Sequence, residues 1–322
     1  MPGAVARRGA RRGAPRRDRR RRGAAPDAGG PRRPVADVHR TRVAAGERAG
    51  AGDRRRGGGA VSWGVFDSGV GGLTVVRALR RRLPGVRLAY LGDTARVPYG
   101  IRSVDTVRRY AAEAAAFFRR RDVEGLIVAC NTVSAVALDV VEQGFPGPVL
   151  DVVRPGVAAA LAATRSGRVG VIGTPATIRS DAYGAGLRAA RPDAVVVSRA
   201  CPLFVPLAEE GWVDGEVPRL VARRYLAPLI EAGVDTVVLG CTHYPLLRDV
   251  IGETLGPDVR LVDSAEAVAD VARGRTTAPA TSGGGTEHEH CFVTDAGGAF
   301  REVAERFLGA PIGRLEQVEL GA

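Results

Sequence analysis

At 322 residues the chain is long enough for two domains. Its formal net charge of +12 suggests nucleic acid only until it is localised: residues 1–60 hold 18 Arg against 5 Asp and Glu, and the rest holds 29 basic against 30 acidic side chains. All 47 basic residues are arginine, which excludes a Schiff-base lysine and with it the usual anchoring of pyridoxal phosphate.

Four cysteines (Cys130, Cys201, Cys241, Cys291) in a chain of this length are not a disulfide framework. No apolar run reaches the ~18 residues of a membrane span. The arginine-rich start lacks the apolar segment of a secretory signal. A soluble cytoplasmic protein is expected.

Residues 1–60 are rich in Arg, Gly, Ala and Pro and show no hydrophobic period. Such a segment buries too little apolar surface to offset its ordering entropy, so disorder is expected. It is either an electrostatic arm for nucleic acid, or a dangling extension or translated upstream sequence. Val61 directly precedes the first expected strand, and a natural start near Val61 is expected.

From there strands alternate with helices. Strands are read at Trp63–Phe66, Arg87–Leu91, Gly125–Ala129 and Val149–Val152, and helices at Leu73–Leu83, Val104–Arg121 and Ser134–Gln143. A second unit starts around Asp151–Gly156, with a helix over Val157–Ala163. Its strands are Arg168–Ile172, Ala194–Ser198, Asp235–Gly240 and Arg260–Val262, with a loop at Cys201–Pro206 and a helix from about Glu216. Residues 274–290 read as a loop, Cys291–Asp295 as a last strand, and a helix runs to about Leu308. The expected fold is α/β: two similar domains, each a parallel-rich sheet flanked by helices, with the active site in the cleft between them. The expected division is 61–153 plus 263–322 for the first domain and 154–262 for the second, after the disordered 1–60.

Cys130 and Cys241 each follow a β-branched apolar run and open a helical pattern. In open α/β sheets, ligands bind outside the carboxyl ends of strands. A thiol at a helix N-terminus feels the positive end of the helix dipole, which lowers its pKa and makes it a usable base. No Cys-x-x-Cys is present for disulfide exchange. Only His243 is near Cys241, too few ligands for a metal, and no metal site is assigned to the local cluster His288, Glu289, His290 and Cys291. The third possibility is proton transfer at both faces of one carbon. Asp67 and His243 are candidate partners that tune the thiols. Ser68, Asn131, Thr132 and Thr242 offer hydroxyl and amide groups at helix starts, where such residues are caps more often than ligands. Cys201 and Cys291 read as packing residues.

Six motifs carry a resemblance: Gly64–Gly72, Gly92–Gly100, Ala129–Thr132, Val171–Thr177, Cys201–Leu207 and Gly240–Pro245. With them the chain from about Val61 to Val318 resembles glutamate racemase of the bacterial cell-wall pathway. The resemblance implies cofactor-independent, two-base racemisation of glutamate, with Cys130 and Cys241 as proton donor and acceptor. It implies that Asp67, Ser68, Tyr99, Gly100, Asn131, Thr132, Thr242 and His243 bind the substrate or support the thiols. Glu209 matches an acidic residue proposed to assist a cysteine, with Glu210 as its neighbour in an alternative register. In the family the first cysteine faces the proton of D-glutamate and the second that of L-glutamate. No cofactor and no metal are implied, and a homodimer is. Some family members also bind DNA gyrase. Aspartate is the alternative substrate, and pocket depth decides between the two.

Overall fold

The computed structural model describes residues 62–276 and 289–321. The arm at 1–60, the start at Val61 and His288 lie outside the described residues. Ten strands are described: β1 Ser62–Asp67, β2 Arg87–Gly92, β3 Gly125–Val128, β4 Val149–Asp151, β5 Arg168–Gly173, β6 Val195–Ala200, β7 Thr236–Gly240, β8 Arg260–Asp263, β9 Glu289–Val293 and β10 Arg314–Gln317. They form a six-stranded sheet, β10-β9-β2-β1-β3-β4, and a four-stranded one, β6-β5-β7-β8. Every pairing is parallel. Parallel sheets carry their crossover helices on both faces, so central strands read as unbroken apolar runs. β1 and β7 show this, with every residue buried.

The order β2-β1-β3-β4 recurs as β6-β5-β7-β8, as expected for two similar halves. In each half the chain leaves the central strand on one side and returns on the other. The crevices between β1 and β3 and between β5 and β7 are therefore topological switch points, where α/β proteins bind ligands. One buried apolar cluster joins the halves. It runs from Trp63, Leu73 and Leu79 through Leu239 and Tyr244 to Phe307. Smaller clusters fill the outer faces around Phe118 and Val169.

Several elements depart from the sequence reading. The helix after Cys130 is two, Asn131–Val136 and Leu138–Gly144, broken at Ala137. The helix before β5 starts at Val153, because the Asp151 carboxylate accepts the N–H of Val153 and Arg154 and Pro155 is tolerated in a first turn. Inside the expected loop at Cys201–Pro206 a helix, Phe204–Glu209, begins. A helix over Ser264–Arg275 was not expected; the Asp263 side chain caps it by accepting the Ala265 N–H at 2.8 Å.

The expected loop at 274–290 is too long at both ends. Arg275 closes that helix, and Glu289 and His290 belong to β9. Strand alternation separates the supposed Glu289, His290 and Cys291 cluster. Glu289 pairs with Arg80 and Cys291 packs in the joint core, while His290 stacks on Phe292 toward the other face. β10 was missed: it is a four-residue edge strand with Leu315 as its one apolar residue, too short to show the apolar alternation that reveals strands. Among the described residues no helix is long and apolar enough to cross a membrane.

Asp235, at the start of β7, ties down the turn leading into β5. Its carboxylate accepts from Thr164 Oγ1 (2.6 Å), Arg165 N (2.8 Å), Ser166 N (2.6 Å) and Ser166 Oγ (2.8 Å). Burial opposes the charge, but these bonds outweigh it and hold the carboxyl well below the usual carboxylate range. A depressed folded-state pKa contributes stability above the unfolded value of ~4, lost as pH falls through the folded one. Asp235→Ala should cost about 1.5–3 kcal/mol in denaturant titrations at neutral pH, and the cost should shrink toward acid. An unchanged midpoint at pH 7 would contradict this.

Candidate active site

The carboxyl ends of the central strands deliver the chemistry. β1 ends at Asp67, β3 is followed by Cys130, β5 by Thr174 and β7 by Cys241. The loop after β2 adds Tyr99 and Gly100. One cavity, of about 50 Å³, is lined by both cysteines together with Ser68, Tyr99, Gly100, Asn131, Thr132, Glu209, Thr242 and His243. Of the residues that the resemblance assigns to the substrate or the thiols, all line it except Asp67. That residue is 0% exposed and lies behind the wall, its Oδ2 accepting the Gly69 N–H at 3.0 Å and its Oδ1 without a partner among the described residues. Burial raises its pKa; the His243 charge and nearby backbone N–H groups offset only part of that.

The two thiols have different surroundings. The Cys130 thiol donates to Ser68 Oγ at 3.4 Å. Burial pushes it up to about 12, and the nearby Asp67 carboxylate adds to the effect; hydrogen bonds with Ser68 and the Val133 N–H work the other way. The lowered thiol expected at a helix start is therefore not found at Cys130, because desolvation outweighs a six-residue helix. Cys241 does not open an α-helix directly. A single 3-10 turn, Tyr244–Leu247, containing Pro245, comes first.

Cys241 instead has a cationic neighbour. His243 Nδ1 lies 3.8 Å from Cys241 Sγ and 3.4 Å from Thr242 Oγ1, and Nε2 lies 2.8 Å from Glu209 Oε1. Burial disfavours the imidazolium, but the hydrogen bonds to Cys241 and Glu209 prevail and push His243 up to about 10. The contact falls on Glu209, not Glu210.

Some expected ligands are already engaged. Tyr99, which lines the cavity, donates its hydroxyl to Asp93. The Asn131 amide accepts from Tyr183 OH at 2.6 Å and reaches Ser264 Oγ at 3.5 Å, bridging the two halves. Thr132 Oγ1 lies 3.0 Å from Thr174 Oγ1. Thr174 and Asp93 were missed although both stand in motifs singled out above. Asp93, wholly buried, also accepts from Arg96 Nε at 2.7 Å and Thr294 Oγ1 at 2.9 Å and so fixes the loop that presents Tyr99. Among the described residues no arginine lines the cavity; the lining offers hydroxyl, amide and imidazole donors to a ligand's acidic groups.

Known proteins are similar to this chain in sequence and in fold. The family model described as Asp/Glu/Hydantoin racemase matches residues 73–272. A glutamate racemase of Geobacter metallireducens is 55% identical over 263 residues, covering 80% of this chain and 97% of that protein. Among solved structures, the Francisella tularensis glutamate racemase in complex with D-glutamate superposes with a TM-score of 0.73 at 38% identity, over 80% of this chain and 97% of that one. A Bacillus anthracis glutamate racemase isoform gives 0.74 at 36% identity, over 81% and 98%. Identity of this extent over nearly the whole length of these relatives places the chain in the glutamate racemase family, as an amino-acid racemase and so an isomerase.

Proposed function

We propose that the chain interconverts L- and D-glutamate without a cofactor, using Cys130 and Cys241 as the two bases. The observation that carries this is the meeting of two buried thiols, from two different sheets, in one cavity. Cys241, as a thiolate beside the His243 imidazolium, takes the α-proton of L-glutamate. Cys130, as a thiol, gives its proton to the opposite face of the carbanion and becomes the thiolate. The D-isomer runs the same steps backward, so each turnover conserves protons. Which cysteine faces which enantiomer follows the resemblance. Ser68, Thr132, Thr242, Asn131 and the backbone at Tyr99 and Gly100 hold the substrate, and Asp67 supports Cys130 from behind.

The relative bound to D-glutamate supports glutamate as substrate. The same reading divides the chain into 61–153 plus 263–322 and 154–262, with the site in the cleft between. That the D-glutamate feeds peptidoglycan, and that the enzyme works in the cytoplasm as a homodimer, rests on resemblance to bacterial glutamate racemases.

Circular dichroism of L-glutamate with purified enzyme and no added cofactor tests the activity. The signal should decay to zero, and L-aspartate under the same conditions should decay far more slowly. Equal or faster decay with aspartate would overturn the choice of substrate. The pH profile tests the role of His243. Its positive charge is present below about pH 10 and lost above it, so activity should fall on that alkaline limb. Glu209→Gln removes one of the bonds that raise the imidazole pKa, and the limb should move to lower pH. An unmoved limb would mean that Glu209 does not act through His243.

A further inference from the structure

The helix Phe300–Leu308 lies outside every motif that pointed to the site. It nevertheless touches the His243–Glu209 pair at two points. Phe307, 0% exposed, sets its ring against the His243 imidazole, with centroids 5.0 Å apart and planes at 77°. Arg306 donates through Nη1 to the backbone oxygen of Glu209. That oxygen belongs to the last residue of the helix Phe204–Glu209, where a carbonyl lacks an intrahelical partner and a cation is favoured.

The chain is shaped to admit this guanidinium. Gly211 has φ +76°, and a Cβ there would stand 2.9 Å from Arg306 Cζ. Arg306 Nη2 is held in turn by Glu302 Oε1 at 3.2 Å, one helical turn back. Without such an anchor little would fix Glu209, because its side chain is 42% exposed and has rotamers to choose from. With the main chain pinned, its carboxylate meets His243 Nε2 at 2.8 Å. Phe307 closes the imidazole's remaining freedom to tilt, and Nδ1 is left toward Cys241.

We infer that Arg306 and Phe307 are positioning residues for the Cys241 half-reaction, acting through Glu209 and His243 and touching no substrate. The inference rests on the two-cysteine reading. It makes the C-terminal helix, attached to the six-stranded sheet, a determinant of a base carried by the four-stranded one.

The readout must separate this from a structural role. Enantiomers have equal energies, so no variant can make kcat/KM differ between the two directions. The primary isotope effects are free to differ. When the Cys241 steps slow, abstraction from L-[2-²H]glutamate becomes more rate-limiting and its isotope effect rises. In the other direction the late donation by Cys241 becomes limiting, and the effect on D-[2-²H]glutamate falls. Arg306→Ala should lower kcat by roughly 10- to 100-fold, the range that follows misplacement by about 1 Å. The two isotope effects should move apart in the stated sense. Arg306→Lys, which keeps a cation at the helix end, should recover part of the rate, and Phe307→Leu should show the same divergence as Arg306→Ala. Isotope effects that stay unchanged in both Arg306→Ala and Phe307→Leu, or move together, would overturn the inference. Failure of the underlying reading shows elsewhere: single-cysteine variants would then lack face-selective elimination from a glutamate carrying a β-leaving group.

Discussion

Cys130→Ser and Cys241→Ser should each lose racemisation by about 10²–10⁴-fold, the usual contribution of a positioned acid or base. A hydroxyl in place of either thiol keeps the shape of the cavity wall but is far too weak an acid to cycle as a base. Racemisation needs both faces of Cα, so the loss should be of similar size in the two variants and for both enantiomers. Far-UV circular dichroism and denaturant midpoints should remain close to those of the parent protein, since one buried sulfur is replaced by oxygen. A variant retaining more than a tenth of the rate would remove its cysteine from the mechanism.

The second large effect is expected at Gly71, in the turn after β1. A Cβ built there would stand 2.3 Å from Thr242 Oγ1 and 2.5 Å from His243 Nδ1. The bare backbone at this position lets the turn carrying Asp67 and Ser68 close against the loop carrying Cys241. The neighbouring hydroxyl of Thr74 seals that contact by donating to Thr242 O at 3.0 Å. Gly71→Ala must push the two halves of the site apart or turn the imidazole. Activity should fall by roughly 10²-fold and stability by about 1–3 kcal/mol from overpacking. Gly274→Ala is the control: a Cβ there meets nothing within 4 Å and the residue lies in a helix, so activity should hold and stability rise by about 0.5–1 kcal/mol. Full activity in Gly71→Ala would show that the approach of the two loops is not needed for catalysis.

The sheets were legible because their central strands are short, mostly apolar runs ending in glycine or cysteine turns. The chemistry was legible because it sits where those strands end. Cys130, Cys241 and His243 announce themselves by position, and Glu209 came through resemblance. What escaped has a common cause. Asp93 and Arg306 act by holding other groups, and nothing local in the sequence says what a polar side chain holds. Gly71 matters for a contact with a loop 171 positions further on. The thiol pKa of Cys130 was misjudged for a related reason. The helix start is visible in sequence, whereas the desolvation that outweighs it is a property of the assembled core. β10 and the helix Ser264–Arg275 were hidden because one lacks apolar alternation and the other is rich in alanine and charge.

The central claim is that two fixed thiols stand on opposite faces of one carbon. The most direct measurement is elimination of HCl from each enantiomer of 3-chloroglutamate by the two single-cysteine variants. Elimination needs only proton abstraction from Cα and departure of chloride from Cβ, so one working face suffices. A fixed base must lie within hydrogen-bond reach of the proton it removes and therefore serves one enantiomer. Cys241→Ser should process the D-configured analogue and spare the L-configured one, and Cys130→Ser should do the reverse. Equal processing of both enantiomers by either variant would contradict the two-base account and require a single base that reaches both faces.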